Sequence, residues 1–144
     1  MREQLEHIAY FDALTGLPNR TNLTNTLDIK IQNASVYGTH FALSFLDLDG
    51  FKEVNDTFGH ETGDLLLVSV AQRMKATLSE DSVVARFGGD EFVLILPISG
   101  ERIEVDSRLQ ALLVALAEPF KVSGVTLHIS ASIGVTYYPQ KRVV

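Results

Sequence analysis

Residues 86–92 read Arg-Phe-Gly-Gly-Asp-Glu-Phe and join two short apolar stretches, residues 82–86 and 92–96. Two adjacent glycines between such stretches predict a tight reversal, so we expect a β-hairpin here. The glycines also let a ligand approach the backbone closely. The hairpin would place Asp90 and Glu91 at one end of a sheet, where functional residues are common.

More carboxylates follow another predicted strand. Residues 41–46 are rich in apolar side chains and predict a buried strand, after which come Asp47, Leu48 and Asp49. Carboxylates from two separate strands could hold Mg²⁺ against a triphosphate, because Mg²⁺ prefers hard oxygen ligands. The plainer alternatives are turn or helix N-cap residues at Asp47 and Asp49, and a solvated hairpin at residues 90–91. Composition and spacing leave this choice open.

The rest of the chain alternates helical and extended patterns. Helical spacing is found at residues 21–36, 52–58, 61–78 and through Ile103, Leu109, Leu112, Leu113 and Leu116 up to Pro119. Extended segments are expected at residues 82–86 and at residues 92–96, where Pro97 ends the second. Residues 120–122 and 125–127 predict a second hairpin. A half-buried strand is expected from Leu127 through Ile129, Ala131 and Ile133 to Val135. The order α-β-α-α-β-β-α-β predicts an α/β (α+β) fold with a ferredoxin-like sheet and flanking helices.

Composition restricts the class of protein. The 144 residues suit one domain, and the net charge of −6 argues against nonspecific binding to nucleic acid. No apolar run suits a membrane span, no signal-peptide pattern opens the chain, and no cysteine is available for a disulfide or a thiolate metal site. No Walker-type phosphate loop and no Ser-His-Asp order occur, and the four histidines are scattered.

Five segments in order resemble the GGDEF family of diguanylate cyclases, enzymes that condense two GTP molecules into cyclic di-GMP. The matching segments are residues 12–20, 45–56, 59–64, 86–92 and 132–135. The resemblance implies a nucleotidyl cyclase palm-type sheet. It also implies an incoming signalling helix or linker at residues 1–11 and the family domain at 12–144.

The resemblance implies roles for individual residues. Mg²⁺, with Mn²⁺ as an alternative, would be held by the side chains of Asp47, Asp90 and Glu91 and by the backbone carbonyl of Leu48. Asp90 would also take the place of the base for the attacking 3′-hydroxyl, and Glu91 would support the same chemistry. Lys52 would stabilise phosphate charge in the transition state.

Further residues would bind the substrate. The matched motifs imply contacts with GTP from Asn55, Asp64, His60, Phe51, Gly88 and Gly89. Asn55 and Asp64 would hydrogen-bond the guanine, which suits a carboxylate that accepts from ring N–H and exocyclic amine groups. For His60 a role as a helix cap or packing residue is an equal alternative.

Two departures from the family pattern matter. Many members carry an inhibitory product site, Arg-x-x-Asp, where this chain has Ser79 and Ser82, so feedback inhibition through that site is not expected. After residues 132–135 the family continues into a helix and a strand, and residues 137–144 do not match them. We therefore expect the C-terminal helix and strand to be missing from this chain, and we expect the loss of their phosphate contacts to weaken GTP binding and activity.

The resemblance also implies partners. Turnover would require a homodimer in which two domains face each other, and the chain would work beside other domains of a longer parent protein. We expect a cytoplasmic location, no direct membrane contact from this segment, and a parent that other domains can anchor to a membrane. The competing functions are a noncatalytic GTP-binding domain that regulates a neighbouring phosphodiesterase domain, and a dimerisation module without a ligand.

Overall fold

A four-stranded antiparallel sheet with strand order β2-β3-β1-β6 organises the structure, a computed structural model that describes residues 7, 9–99 and 102–139. In chain order the elements are α1 (Arg20–Tyr37), β1 (His40–Asp49), α2 (Phe51–Phe58), α3 (His60–Thr77), β2 (Val83–Gly88), β3 (Glu91–Ile98), α4 (Arg102–Ala117), β4 (Phe120–Val122), β5 (Val125–Leu127) and β6 (Ser130–Tyr138). The predicted α/β fold with flanking helices is confirmed. Most of the predicted incoming segment 1–11, and residues 140–144, lie outside the described residues.

The two faces of the sheet are covered differently. Alternate residues of β1 and β3, such as Leu46 and Leu94, are buried in a large core shared with α3 and α4. The intervening residues, such as Val93 and Ile95, form a smaller core with Leu23 of α1. Only α1 covers this second face within the described part of the chain, and the Phe45 side chain on it is 52% exposed.

Strand β1 is longer than the predicted segment 41–46. It continues through Asp49 because β6 pairs with its last residues, Asp49 lying opposite Ser130. The prediction that Asp47 and Asp49 follow the strand is therefore wrong, and the alternative that they are turn residues does not hold. Polar side chains did not signal a strand there, since the pairing that extends it comes from a distant segment.

Strand β3 likewise runs past Pro97, which was expected to end it. The pairing of β3 with β2 stops at Ile95, so at Pro97 only β1 lies beside the strand. Proline is tolerated in a strand where one edge is unpaired, because it has no N–H to donate.

The last predicted strand is divided. Strand β5 ends at Leu127 and β6 begins at Ser130, so the alternation from Leu127 spans two strands. Within it Ala131 and Ile133 are half-buried as expected, but Val135 is 39% exposed, because β6 is the outer strand of the sheet in the described part. Among the helices of the described ranges, none is both long and apolar enough to cross a bilayer.

Candidate functional site at the β1–β3 end

The hairpin between β2 and β3 depends on its two glycines. Gly88 has φ 141° and Gly89 has φ 51°, both in the region that side-chain-bearing residues rarely adopt. The register shifts between Arg86 and Gly88, so the turn carries an irregularity next to Asp90. The predicted hairpin is confirmed, and its glycines have a conformational reason to be there.

The end of β1 meets this hairpin. Asp47 lies directly opposite Glu91 in the β1–β3 ladder, and the Leu48 N–H donates to the Asp90 carbonyl at 3.2 Å. The side chains of Asp47 and Glu91 are exposed and that of Asp90 is half-buried, whereas the Leu48 side chain lies in the core. The structure therefore brings the four predicted metal-binding residues to one end of the sheet.

The carboxylates of Asp47, Asp90 and Glu91 suit a cation that is also bound by substrate phosphates and water. Within residues 7, 9–99 and 102–139, no group of three or more histidine or carboxylate side chains could hold a metal. Mg²⁺ needs fewer protein ligands, since it is commonly bound by one or two carboxylates with substrate phosphates and water. The site fits Mg²⁺ delivered with a phosphate-bearing substrate, and the metal roles stay predictions.

Asp49 has a different environment from Asp47. Its Oδ2 accepts hydrogen bonds from the Ser132 hydroxyl at 2.8 Å and the Ser130 hydroxyl at 3.3 Å. The cap residue of α2 is Gly50, with φ 90°, so Asp49 is not the helix N-cap. Its carboxylate instead ties β6 to the end of β1.

Helices α2 and α3 carry the other predicted site residues. Lys52 is exposed in the first turn of α2, Asn55 is half-buried one turn later, and Asp64 is exposed in α3. His60 is exposed as the first residue of α3, where Gly59 is the cap, so it neither caps the helix nor packs in the core. Phe51 is 8% exposed and belongs to the core, and its contact with substrate stays a prediction.

The hairpin is held by Arg86, which was not among the predicted site residues. Its Nη1 donates to Asp12 Oδ1 at 3.0 Å and Oδ2 at 3.1 Å, and its Nε donates to the Gly89 carbonyl at 3.1 Å. The Arg86 N–H donates to the Pro18 carbonyl at 3.0 Å. Arg86 thus fixes the glycine turn to the loop before α1. The charge of Arg86 just before the turn was the only sequence signal for this.

Asp12 receives further donors. The Thr15 N–H and hydroxyl donate to its Oδ2 at 2.9 and 2.8 Å. Burial raises the pKa of the Asp12 carboxyl, but the hydrogen bonds from Thr15 and then those from Arg86, with the Arg86 charge, outweigh it. The pKa of Asp12 is therefore below its ordinary value of 3.8.

The match to a known family agrees with this geometry. The family model described as "Diguanylate cyclase, GGDEF domain" matches residues 9–143. The chain belongs to the GGDEF domain family. The match of this GGDEF domain includes the glycine pair, the acidic pair and the end of β1 described above.

Curated relatives of this GGDEF domain are longer proteins. It is 43% identical over 136 residues to the bifunctional diguanylate cyclase/cyclic di-GMP phosphodiesterase MucR of Pseudomonas aeruginosa, covering 94% of this chain and 20% of MucR. It is 40% identical over 135 residues to the cyclic di-GMP phosphodiesterase NbdA of the same organism, covering 94% of this chain and 17% of NbdA. The chain thus spans about a fifth of the length of these two relatives.

Solved GGDEF domains have the same fold. The GGDEF domain of TpbB (YfiN) from Pseudomonas aeruginosa superposes with a TM-score of 0.85 at 36% identity, covering 90% of this chain and 76% of that one. The coiled coil and GGDEF domain of DgcB from Caulobacter crescentus, in complex with c-di-GMP, gives a TM-score of 0.84 at 31% identity, covering 94% of this chain and 73% of that one. These similarities confirm the fold class.

Proposed function

We propose that this GGDEF domain is a diguanylate cyclase that condenses two GTP molecules into cyclic di-GMP and releases two pyrophosphates. The observation that carries the proposal is the β1–β3 register, in which Asp47 lies opposite Glu91 and Leu48 is hydrogen-bonded to Asp90. This places carboxylates beside a glycine turn that leaves backbone exposed to a ligand. Such an arrangement suits a Mg²⁺-bound triphosphate.

The protein residues would divide the chemistry among them. Asp47, Asp90, Glu91 and the Leu48 carbonyl would hold Mg²⁺, which when bound neutralises phosphate charge and polarises the α-phosphate. Asp90 would accept the proton of the 3′-hydroxyl as that oxygen bonds to the α-phosphorus of the second GTP. Lys52, exposed beside this end of the sheet, would stabilise the charge on the phosphates as pyrophosphate leaves.

The geometry of the reaction requires two domains. Each GTP provides both a 3′-hydroxyl and an α-phosphate, and each hydroxyl must reach the phosphate of the other nucleotide. A homodimer with facing sites meets this need, since positioning is the main contribution that a protein makes to phosphoryl transfer. We propose that residues 12–144 form this domain beside other domains of a longer cytoplasmic or membrane-anchored protein.

A second candidate is a GTP-binding domain without cyclase activity that regulates a neighbouring phosphodiesterase domain. NbdA, named a cyclic di-GMP phosphodiesterase, is 40% identical to this chain, and PdeR of Escherichia coli, also named a cyclic di-GMP phosphodiesterase, is 35% identical. Both candidates need the same nucleotide site, so only product formation separates them.

The deciding experiment incubates the protein with GTP and Mg²⁺, separates the products by chromatography and measures GTP binding by calorimetry. The test variant is Asp90→Ala, and Asp28→Ala, an exposed carboxylate on α1, is the matched control. We expect cyclic di-GMP from the wild type and Asp28→Ala but not from Asp90→Ala. GTP binding without product would support the regulatory function, and absence of both would contradict both candidates.

A further inference from the structure

The contact between Gly63 and Asn55 has no counterpart elsewhere among the described glycines. A Cβ built at Gly63 would lie 1.8 Å from Asn55 Oδ1, 2.9 Å from its Cγ and 3.5 Å from its Nδ2. The three nearest atoms all belong to one side chain, that of Asn55. Gly63 therefore does not simply let two backbones approach each other. The Asn55 amide occupies the space that a side chain at residue 63 would fill.

The backbone around the junction of α2 and α3 supports this placement. The Asn55 carbonyl accepts the Gly59 N–H at 2.9 Å, and the Gly59 carbonyl accepts the Gly63 N–H at 3.1 Å. Gly59 redirects the chain with φ 92°, so the first turn of α3 folds back against Asn55. Gly63 is not in the left-handed region, so any ordinary residue could adopt its backbone conformation. The need for glycine is therefore steric and local.

The oxygen of the Asn55 side-chain amide is buried and makes no hydrogen bond in the described part of the chain. Leaving a buried carbonyl unpaired is unfavourable, so the orientation needs a reason. The Asn55 Oδ1 is the atom nearest to Gly63, residue 55 is half-buried, and the exposed Asp64 follows Gly63 directly.

We infer that Gly63 is a positioning residue for base recognition, and this inference rests on the proposed GTP-binding function. It holds the Asn55 amide in an orientation in which this amide and the Asp64 carboxylate can both hydrogen-bond the same guanine. A side chain at residue 63 displaces the amide and weakens selection of guanine over adenine, while leaving the phosphate and metal end of the site intact.

The test measures GTP and ATP binding by calorimetry and GTP turnover for Gly63→Ala, Asn55→Ala and the double variant. We expect Gly63→Ala to bind GTP about tenfold more weakly, as Asn55→Ala does, and to raise KM with kcat within about twofold. ATP binding should not weaken in parallel. In the Asn55→Ala background, Gly63→Ala should weaken GTP binding no further, because it acts through Asn55.

Two controls keep the outcomes distinct. Gly134→Ala adds a Cβ that meets nothing within 4 Å and should bind GTP as the wild type does. The effect of Gly63→Ala on the midpoint of thermal unfolding should be more favourable when Asn55 is alanine than when it is asparagine. Without the Asn55 side chain there is no clash, and alanine is a better helix former than glycine. Wild-type affinity in Gly63→Ala, with weaker binding in Asn55→Ala, would overturn the inference alone. A wild type that binds no GTP would overturn the proposed function with it.

Discussion

The Arg86 guanidinium and the Asp12 carboxylate form an ion pair at 3.0 Å, with side chains only 13% and 20% exposed. The pair joins the strand before the glycine turn to the loop before α1, which is far away in the chain. Because both groups are mostly withdrawn from water, the pair is less screened than one on the surface. It makes the position of the turn depend on the position of the loop.

Replacing Arg86 by glutamine should destabilise the domain. The change leaves a mostly buried carboxylate with fewer donors and frees the Gly89 carbonyl, so we expect a loss of about 2–3 kcal/mol in the free energy of unfolding. Urea unfolding measures this. Lys121→Gln, an exposed change on β4, is the matched control and should cost less than about 0.5 kcal/mol. An equal small effect of both changes would show that the ion pair contributes little.

The Asp12 carboxylate, which accepts hydrogen bonds from Thr15 and Arg86, should make stability depend on acid. The folded-state pKa of Asp12 is lowered, so the unfolded chain binds a proton more readily than the folded one. The stability due to Asp12 is fully present above its ordinary pKa of 3.8 and is lost as pH falls through the lower folded-state pKa. Thermal midpoints followed from neutral pH to below that value should fall less steeply for Asp12→Asn than for the wild type. Parallel slopes would contradict the assignment.

Arg73 of α3 should be another stabilising residue. Its guanidinium donates to the carbonyls of Ala115, Glu118 and Pro119 at 2.7–3.0 Å. These carbonyls lie at and just after the C-terminal end of α4, where backbone carbonyls lack partners within the helix. The guanidinium also lies 3.5 Å from the centroid of the Phe120 ring. We expect Arg73→Met to lose about 2–4 kcal/mol in chemical unfolding and Arg73→Lys to recover only part of it, because lysine lacks the planar fork. Full recovery by lysine would show that charge alone matters.

Asp47 and Asp49 should respond differently to loss of charge. Asp47 faces Glu91 at the proposed metal site, whereas Asp49 accepts from two serines of β6. Asp47→Asn should lower cyclic di-GMP formation at least about 100-fold and shift the Mg²⁺ requirement upward. Asp49→Asn keeps an oxygen for the serines and should retain most of the activity. A Mg²⁺ titration of turnover compares the two, and equal losses would contradict the distinction.

Local signals accounted for much of the fold. The hairpin at residues 86–92 was predictable because glycine readily adopts the positive φ angles that Gly88 and Gly89 have in this turn. The helices were predicted from the spacing of apolar residues. Helix α1 begins after Asn19, whose side chain accepts a hydrogen bond from the Asn22 N–H, and it ends at Gly38, which takes the left-handed conformation. Each of these features is decided within a few residues of sequence.

Features that depend on distant partners were not predictable in the same way. The extension of β1 through Asp49 requires β6, and the ion pair of Arg86 requires Asp12. The resemblance named Asn55 as a site residue, but its contact with Gly63 appears only when α2 and α3 pack together. Pairwise contacts of this kind arise from tertiary structure, which leaves no periodic pattern in the chain.

The pairing of Asp47 with Glu91 also has a consequence during synthesis of the protein. The two residues lie on either side of α2, α3 and β2, so a nascent chain that has formed these helices still lacks the site until β3 has left the ribosome and joined β1. Any ligand that needs both carboxylates binds only after this step. Such a ligand selects chains in which β1 and β3 are already paired and offers no help to earlier folding intermediates.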